Sequence, residues 1–229
     1  MPITIKMMQK IMGSNGEIAA ENRRAFAAQR VLAVNVMASP GAGKTSVILG
    51  VLARLKAQLP TAVIEGDIAA TIDAEKIDAV GVPVVQVNTA GGCHLDANII
   101  REAARELALH DGLLFIENVG NLVCPSAFDL GEDLRLVIAS VPEGHDKPFK
   151  YLAMFAAADL IILNKSDLSP YSDFDHTQFT RGVAAVNTRE APIIKVSCRT
   201  GAGLDAVTDT LLRRYREKNG LEYREDQSQ

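Results

Sequence analysis

Cysteine is scarce in this chain: 229 residues carry three, Cys93, Cys124 and Cys198. An odd and sparse set excludes a disulfide framework and leaves reduced thiols whose purpose must be sought locally. A strong excess of one charge is also lacking. The formal net charge is −4, so no nucleic-acid surface is indicated. No apolar run reaches membrane-spanning length, and the best, Tyr151 to Leu163, is interrupted by Asp159. The first residues include lysines but neither a continuous apolar block nor a small-residue cleavage site. Internal repeats and low-complexity segments are missing too. Together these absences predict a cytoplasmic location, with no membrane and no nucleic acid among its partners. What is present is a length suited to one ordinary domain plus a modest extension, with 48% hydrophobic residues to build a large core.

From Val31 onward short apolar runs alternate with amphipathic ones. The runs Val31 to Met37, Ala62 to Glu65, Pro83 to Val87, Leu113 to Asn118, Leu134 to Val141, Leu160 to Asn164 and Ile193 to Ser197 read as strands. Leu95 to His110 and Leu204 to Lys218 read as helices. Strands that are apolar on both faces and separated by helices specify an α/β fold with a mostly parallel sheet flanked by helices. Ahead of the first strand, Ser14 and Glu17 have capping-box spacing before Ile18, Ala19, Phe26 and Ala27, which suit one face of a helix. The expected organisation is an N-terminal helical extension over 1–30, a nucleotide-binding domain over 31–220 and a polar, frayed tail over 221–229.

Directly behind the first strand stands Ser39-Pro40-Gly41-Ala42-Gly43-Lys44-Thr45. A glycine-rich strand-to-helix turn ending in Gly-Lys-Thr is a phosphate cradle. Gly41, Ala42 and Gly43, with the first helical residues Lys44, Thr45 and Ser46, offer backbone N–H groups. Lys44 adds a mobile charge for the β- and γ-phosphates, and the Thr45 hydroxyl suits Mg²⁺. The position six residues before Lys44, usually glycine in this motif, is Ala38. The close backbone approach belongs to Gly41 and Gly43, so a P-loop NTPase fold is still predicted.

The strand ending near Leu163 is followed by Asn164-Lys165-Ser166-Asp167. A carboxylate at Asp167 can accept from the N1–H and the 2-amine of guanine, and adenine has neither group. Asn164 can meet the other edge of the base, and the Lys165 stem can lie along the ring. A helix N-cap pair in a βα loop is the plainer account of such a string. Its place in a chain with a phosphate loop favours guanine, hence GTP and GDP. Ser197-Cys198-Arg199-Thr200-Gly201 ends the last strand, where backbone N–H groups could read guanine O6. Cys198 is assigned no metal role.

Acids for Mg²⁺ are expected at strand ends. Glu117 is followed by Gly120, giving Glu-Asn-Val-Gly where many GTPases have Asp-x-x-Gly, and Asp67 follows the second strand. Glu117 can hold Mg²⁺ directly or through water, the Gly120 amide can report on the γ-phosphate, and Asp67 can serve the metal or position water. N-capping or solvated loop acids would account for the same residues. With Lys44, these three form the expected catalytic set. No residue resembles a water-orienting glutamine, so slow hydrolysis is expected.

Cys93 and His94 are adjacent, just ahead of the helix expected from Leu95, where a helix N-terminus would lower the thiol pKa. Cys124 lies downstream of Gly120. Two thiolates and one imidazole suit Zn²⁺ or Ni²⁺, and three donors leave a four-coordinate site open to water or a second subunit. Taken from spacing alone, isolated buried cysteines are the simpler account, since such cysteines are common and a Cys-His pair is no recognised zinc motif. His145 and Lys147 follow the fifth strand near the base side of the cleft. Lys147 could reach a nucleotide across a dimer or stay solvated. His110 and His176 read as surface residues.

Gly91-Gly92-Cys93-His94-Leu95-Asp96, the run from Phe115 to Pro125, Glu143-Gly144-His145-Asp146-Lys147-Pro148 and Asn164-Lys165-Ser166-Asp167 together resemble the hydrogenase nickel-incorporation GTPases, the HypB family of metallochaperones. The likeness extends from Asn22-Arg23-Arg24 to the final helix. It implies a GTPase that forms a GTP-favoured homodimer with a metal site shared at the interface, carried here by Cys93, His94 and Cys124. It also implies work alongside a companion nickel metallochaperone in delivering nickel to the large subunit of nickel–iron hydrogenase. Many members begin with a Cys-x-x-Cys-Gly-Cys motif or carry a histidine tract. The first thirty residues here hold neither cysteine nor histidine, so tight nickel capture or storage is not expected. A urease-type nickel GTPase would show a Cys-Pro-His motif, which is absent. A P-loop kinase would leave Asn164 to Asp167 without a purpose. A nucleotide-independent metal scaffold would not need an intact Lys44, Thr45 and Asp167.

Overall fold

The computed structural model describes residues 2–55, 58–67 and 72–221. Seven strands form one parallel sheet: β1 (Leu32–Ala38), β2 (Thr61–Asp67), β3 (Val84–Asn88), β4 (Leu113–Glu117), β5 (Leu134–Ser140), β6 (Leu160–Asn164) and β7 (Ile193–Lys195). Their order is β3-β2-β4-β1-β5-β6-β7. The helices are α1 (Pro2–Ala28), α2 (Lys44–Leu55), α3 (Ile72–Ala79), α4 (Ala97–Leu107), α5 (Lys147–Lys150), α6 (Leu152–Ala156), α7 (His176–Val186) and α8 (Leu204–Asn219). All seven expected strands are present, within a few residues at their ends.

Burial explains which runs became central. Every residue of β1, β4 and β6 is buried, whereas the edge strands β3 and β7 are only partly covered. A strand buried on both faces must be apolar throughout, which parallel crossover topology imposes. Alternate residues of β1 feed opposite layers: Val34, Val36 and Ala38 join α2 and α8 on one face, while Ala33 and Met37 face the other. Ala38 is thus an ordinary strand residue, fully buried in that core. A methyl group is accommodated there because the turn proper begins after it.

The sheet order reverses beside β1, since its two neighbours are β4 and β5. Ligands collect at such a switch point, beyond the carboxyl ends of the strands. The carboxyl ends of β1, β2, β4, β5 and β6 all lie on that edge of the sheet.

The N-terminal arm differs in detail from the sequence expectation. Ser14 and Glu17 lie inside α1, which runs unbroken from Pro2 to Ala28. There is no helix start at Ser14 for a capping box to serve. The helix is fastened through buried amides. Asn22 Nδ2 donates to Ala97 O at 2.8 Å and to Leu130 O at 3.0 Å, and Asn15 Oδ1 accepts from Ala97 N at 2.9 Å. Gly131 has φ +87°, and a Cβ there would lie 2.6 Å from Ala19 O, so α1 sits hard against the chain after Leu130. The expected polar tail beyond Leu221 lies outside the described residues. Among the described residues no helix is long and apolar enough to cross a membrane.

Removing the Asn22 amide takes a donor away from two buried carbonyls, Ala97 O and Leu130 O. At about 1–3 kcal/mol for stranded buried partners, Asn22→Ala is expected to destabilise the fold by about 2 kcal/mol in urea unfolding, and a change under about 0.5 kcal/mol would show that α1 is not held through this residue.

Candidate functional site

The turn between β1 and α2 has Gly41 at φ +76° and Gly43 at φ +99°. Gly43 has a second constraint, because a Cβ there would lie 2.5 Å from Asn164 Nδ2. Helix α2 starts at Lys44, so the amides of Lys44, Thr45 and Ser46 open its first turn and face the loop mouth without upstream carbonyl partners. Such an end attracts phosphate through free donors and the helix dipole. The loop is held from outside as well: Asn164 Nδ2 donates to Ala42 O at 2.9 Å, Lys165 Nζ to Gly41 O at 2.6 Å, and the Ser39 hydroxyl to a Glu143 carboxylate oxygen.

Behind Thr45 stand two buried carboxylates. Glu65 on β2 and Glu117 on β4 are register partners across adjacent strands, each about 2% exposed. Thr45 Oγ1 donates to Glu117 Oε1 at 2.8 Å, while Oε2 of Glu117 and Oε2 of Glu65 have no hydrogen-bond partner. Burial pushes Glu65 up to about 8, with Glu117 the next cause, and burial pushes Glu117 up to about 7 against the opposing effects of Lys44 and Thr45. A hydroxyl and orphaned carboxylate oxygens beside a phosphate loop fit a hard divalent cation such as Mg²⁺. Asp67 ends β2 on the same side of the sheet. Gly120 packs on the phosphate loop, since a Cβ there would meet Pro40 at 3.2 Å.

On the other flank, Ser197 Oγ donates to Asp167 Oδ1 at 2.6 Å, and the Cys198 thiol donates to Asn164 Oδ1 at 3.4 Å. Burial pushes the Cys198 thiol up, which keeps it a protonated donor. Arg199 is exposed beside them. The structure therefore gathers Asn164, Lys165, Asp167, Ser197, Cys198 and Arg199 on one side of the phosphate loop. That side presents the carboxylate, amide and backbone donors that a nucleobase edge can pair with.

On the opposite flank, Cys93, His94 and Cys124 converge so that their ligand atoms all lie within 4.8 Å of one another. The His94 ring stacks on Phe128 with centroids 3.8 Å apart, and Asn121 Nδ2 reaches Cys93 O at 3.4 Å. Cys93 is not at a helix N-terminus, as the sequence had indicated. Helix α4 begins at Ala97 behind its N-cap Asp96, whose side chain accepts from Ile99 N at 2.8 Å. The Cys93 thiol is consequently not lowered. The adjacent Cys124 thiol is the chief cause that raises it, with burial second. Burial lowers His94, which favours the neutral, ligand-competent imidazole.

Lys147 Nζ sits over the Tyr151 ring of its own chain, 5.4 Å from the centroid. His145 Nδ1 accepts from Asp175 N at 3.2 Å. His176 is half-buried rather than superficial, between Phe174 and the Ser169 hydroxyl, while His110 is exposed. Two acids beside the loop had not been singled out as site residues. Glu65 was visible as a lone acid in an apolar run. Glu143 was visible as the end of Ser140-Val141-Pro142-Glu143, a capping box that forms here, with Ser140 N at 2.9 Å from Glu143 Oε2.

A parallel sheet reversing at β1, a Gly-Lys-Thr turn and a buried acid on the neighbouring strand define a P-loop nucleotide-binding protein. Residues 32–195 match the family described as CobW/HypB/UreG, nucleotide-binding domain. The chain is 50% identical over 196 residues to the hydrogenase maturation factor HypB of Escherichia coli K12, covering 85% of this chain and 67% of that protein. It is 50% identical over 201 residues to HypB of Azotobacter vinelandii, covering 87% of this chain and 66% of that one. The chain thus spans about two thirds of the length of these relatives. A solved structure of HypB from Helicobacter pylori in complex with nickel superposes with a TM-score of 0.84 at 37% identity, over 90% of this chain and 97% of that chain. This chain belongs to the HypB family of hydrogenase maturation factors.

An acid whose folded pKa lies above its unfolded value of about 4.5 binds a proton on folding. Its favourable contribution is complete below that value and is lost as pH rises through about 8. Without nucleotide, Glu65→Gln should unfold close to the parent's temperature at pH 5 and several degrees above it at pH 8, one pKa unit being worth about 1.4 kcal/mol and hence roughly 3–6 °C. An offset that stays constant across this range would exclude ionisation of Glu65 as its source.

Proposed function

We propose that the chain is a GTP-binding, slowly GTP-hydrolysing metallochaperone that assists nickel insertion during nickel–iron hydrogenase maturation. The observation that carries this reading is the convergence of Cys93, His94 and Cys124 one short loop beyond Glu117, which holds the phosphate-loop residue Thr45. Nucleotide chemistry and a soft-ligand metal site therefore share one polypeptide connection.

In this reading Gly41 to Ser46 cradle the phosphates, and Lys44 offsets charge on the γ-phosphoryl group as water attacks. Asp167 accepts from guanine N1–H and its 2-amine, Asn164 and the Lys165 stem line the base, and the turn Ser197 to Arg199 presents backbone donors to O6. Thr45, Glu117 and Asp67 would hold Mg²⁺, which neutralises charge on the β- and γ-oxygens when bound. Gly120, against Pro40, is placed to feel what occupies the loop. Glu65 and Glu143 support the site from behind, and among the described residues none is assigned the role of a water-orienting glutamine, so turnover is slow.

The cargo, Ni²⁺ or Zn²⁺, is bound by the thiolates of Cys93 and Cys124 and by His94, which together suit borderline ions. Three donors from one chain leave a coordination position for water or for a second copy, and a GTP-favoured homodimer that pools the two sets closes the site. The working partners are a companion nickel metallochaperone and the hydrogenase large subunit, in the cytoplasm. Release follows only if the two nucleotide states bind the ion differently, tenfold in affinity corresponding to about 1.4 kcal/mol.

The decisive experiment measures Ni²⁺ affinity, stoichiometry and dimerisation of the reduced protein with GDP and with a non-hydrolysable GTP analogue. A nucleotide-dependent affinity is expected, whereas equal affinity in both states would reduce the thiol site to a structural feature. Cys124→Ala should weaken Ni²⁺ binding by about a hundredfold or more while GTP affinity stays within about threefold. Parent-like Ni²⁺ binding by that variant would refute the ligand assignment. Asp167→Ala removes two charge-assisted hydrogen bonds of about 1.5–3 kcal/mol each. It should lower GTP affinity by about a hundredfold or more without changing ATP affinity, and unchanged GTP binding would exclude the guanine assignment.

A further inference from the structure

Asn118 follows Glu117 directly and is fully buried, as is Asn35 in the middle of the central strand. Its carbonyl oxygen accepts two backbone donors, Leu95 N at 3.2 Å and Val119 N at 3.0 Å. One donor belongs to the loop carrying Cys93 and His94, and the other to the loop leading through Gly120 to Cys124. The Asn118 amide nitrogen donates to Asn35 Oδ1 at 3.2 Å, and Asn35 Nδ2 to Glu132 Oε1 at 3.4 Å. Glu132 also accepts from Arg135 Nε at 2.7 Å and from Leu130 N at 2.7 Å. Arg135 Nη1 then reaches Ser126 O at 3.4 Å, in the turn that Cys124 opens. The chain of hydrogen bonds thus leaves Asn118, passes beneath the sheet and returns to the far end of the same metal-bearing loop.

Stability alone does not ask for this arrangement. A buried amide contributes little net even when satisfied, and an aliphatic residue of similar size would fill the position without a desolvation cost. What the amide supplies is a shared acceptor: the two loops cannot separate without stranding a buried N–H, so a shift of one is felt by the other.

We infer that Asn118 is the positioning residue that joins the nucleotide end of the site to the metal end, through one oxygen bonded to both metal-bearing loops. This rests on the nucleotide-gated reading above. Movement of Val119 and Gly120 relative to the phosphate loop draws Leu95, and with it Cys93 and His94, relative to Cys124. Asn118 is fully buried and is none of the residues assigned to the nucleotide or the cargo, so its loss removes the linkage and leaves both sets of binding residues in place.

The test is the ratio of Ni²⁺ dissociation constants in the GDP and GTP-analogue states, read by chelator competition for the full chain, with thermal midpoints recorded alongside. If the parent ratio is one, the nucleotide-gated reading and this inference both fall. If the parent ratio is large, Asn118→Ala is expected to bring it to within about twofold of one while each nucleotide still binds within about threefold of parent. A parent-like ratio in the alanine variant would overturn the inference alone. Should that variant not fold, Asn118→Ser, whose hydroxyl is too short to span both donors, carries the same expectation and the same refutation.

Discussion

The hydrogen bond from Thr45 to Glu117 is the contact on which the rest of the site depends, because it ties the first turn of α2 to the end of the neighbouring strand β4. It exists only because β1 and β4 run parallel in a register that sets Val36 beside Glu117. The same register row continues to Glu65 on β2. Two acids are thereby fixed side by side in the interior, behind a lysine and a helix N-terminus. Their unpartnered oxygens mark a place where the fold tolerates electrostatic cost that a bound cation would relieve.

The phosphate loop is steadied from three directions, each using a different element. Glu143, at the end of β5, takes the Ser39 hydroxyl, Asn164 and Lys165, at the end of β6, take the Ala42 and Gly41 carbonyls, and Gly120, after β4, lies on Pro40. Such support limits the conformations open to a loop rich in glycine, which would otherwise lose much entropy on binding a nucleotide. It also means that the loop after β6 and the loop leading to Cys124 both rest on the same short phosphate loop.

Beyond that loop the interior becomes polar where a stable core would be apolar. Asn35, Asn118 and Glu132 are buried under the Cys93, His94 and Cys124 cluster, and Asn15 and Asn22 of α1 fasten Ala97 and Leu130 from outside. Phe128 then steadies His94 by stacking. The Cys93 and Cys124 thiols are left exposed or partly exposed at the rim.

Much of the fold was legible in the sequence because hydrophobic period and turn chemistry are local. Seven apolar runs gave seven strands, and Gly41, Gly43 and Lys44 announced a phosphate loop by their spacing. Asp167 and Asn164 acquired meaning from the strand before them. Where local signals competed, reading failed: Ser14 and Glu17 imitate a helix start inside α1, and Cys93 was credited with a helix terminus that Asp96 caps instead. Composition and local pattern thus determined the parallel α/β architecture and the identity of the donors. Tertiary structure alone decided that Glu65 stands beside Glu117, that Cys124 closes on Cys93 and His94, and that one oxygen of Asn118 holds both of their loops. Each of these pairings joins segments distant along the chain, so strand register and burial, and not neighbouring residues, set their distances.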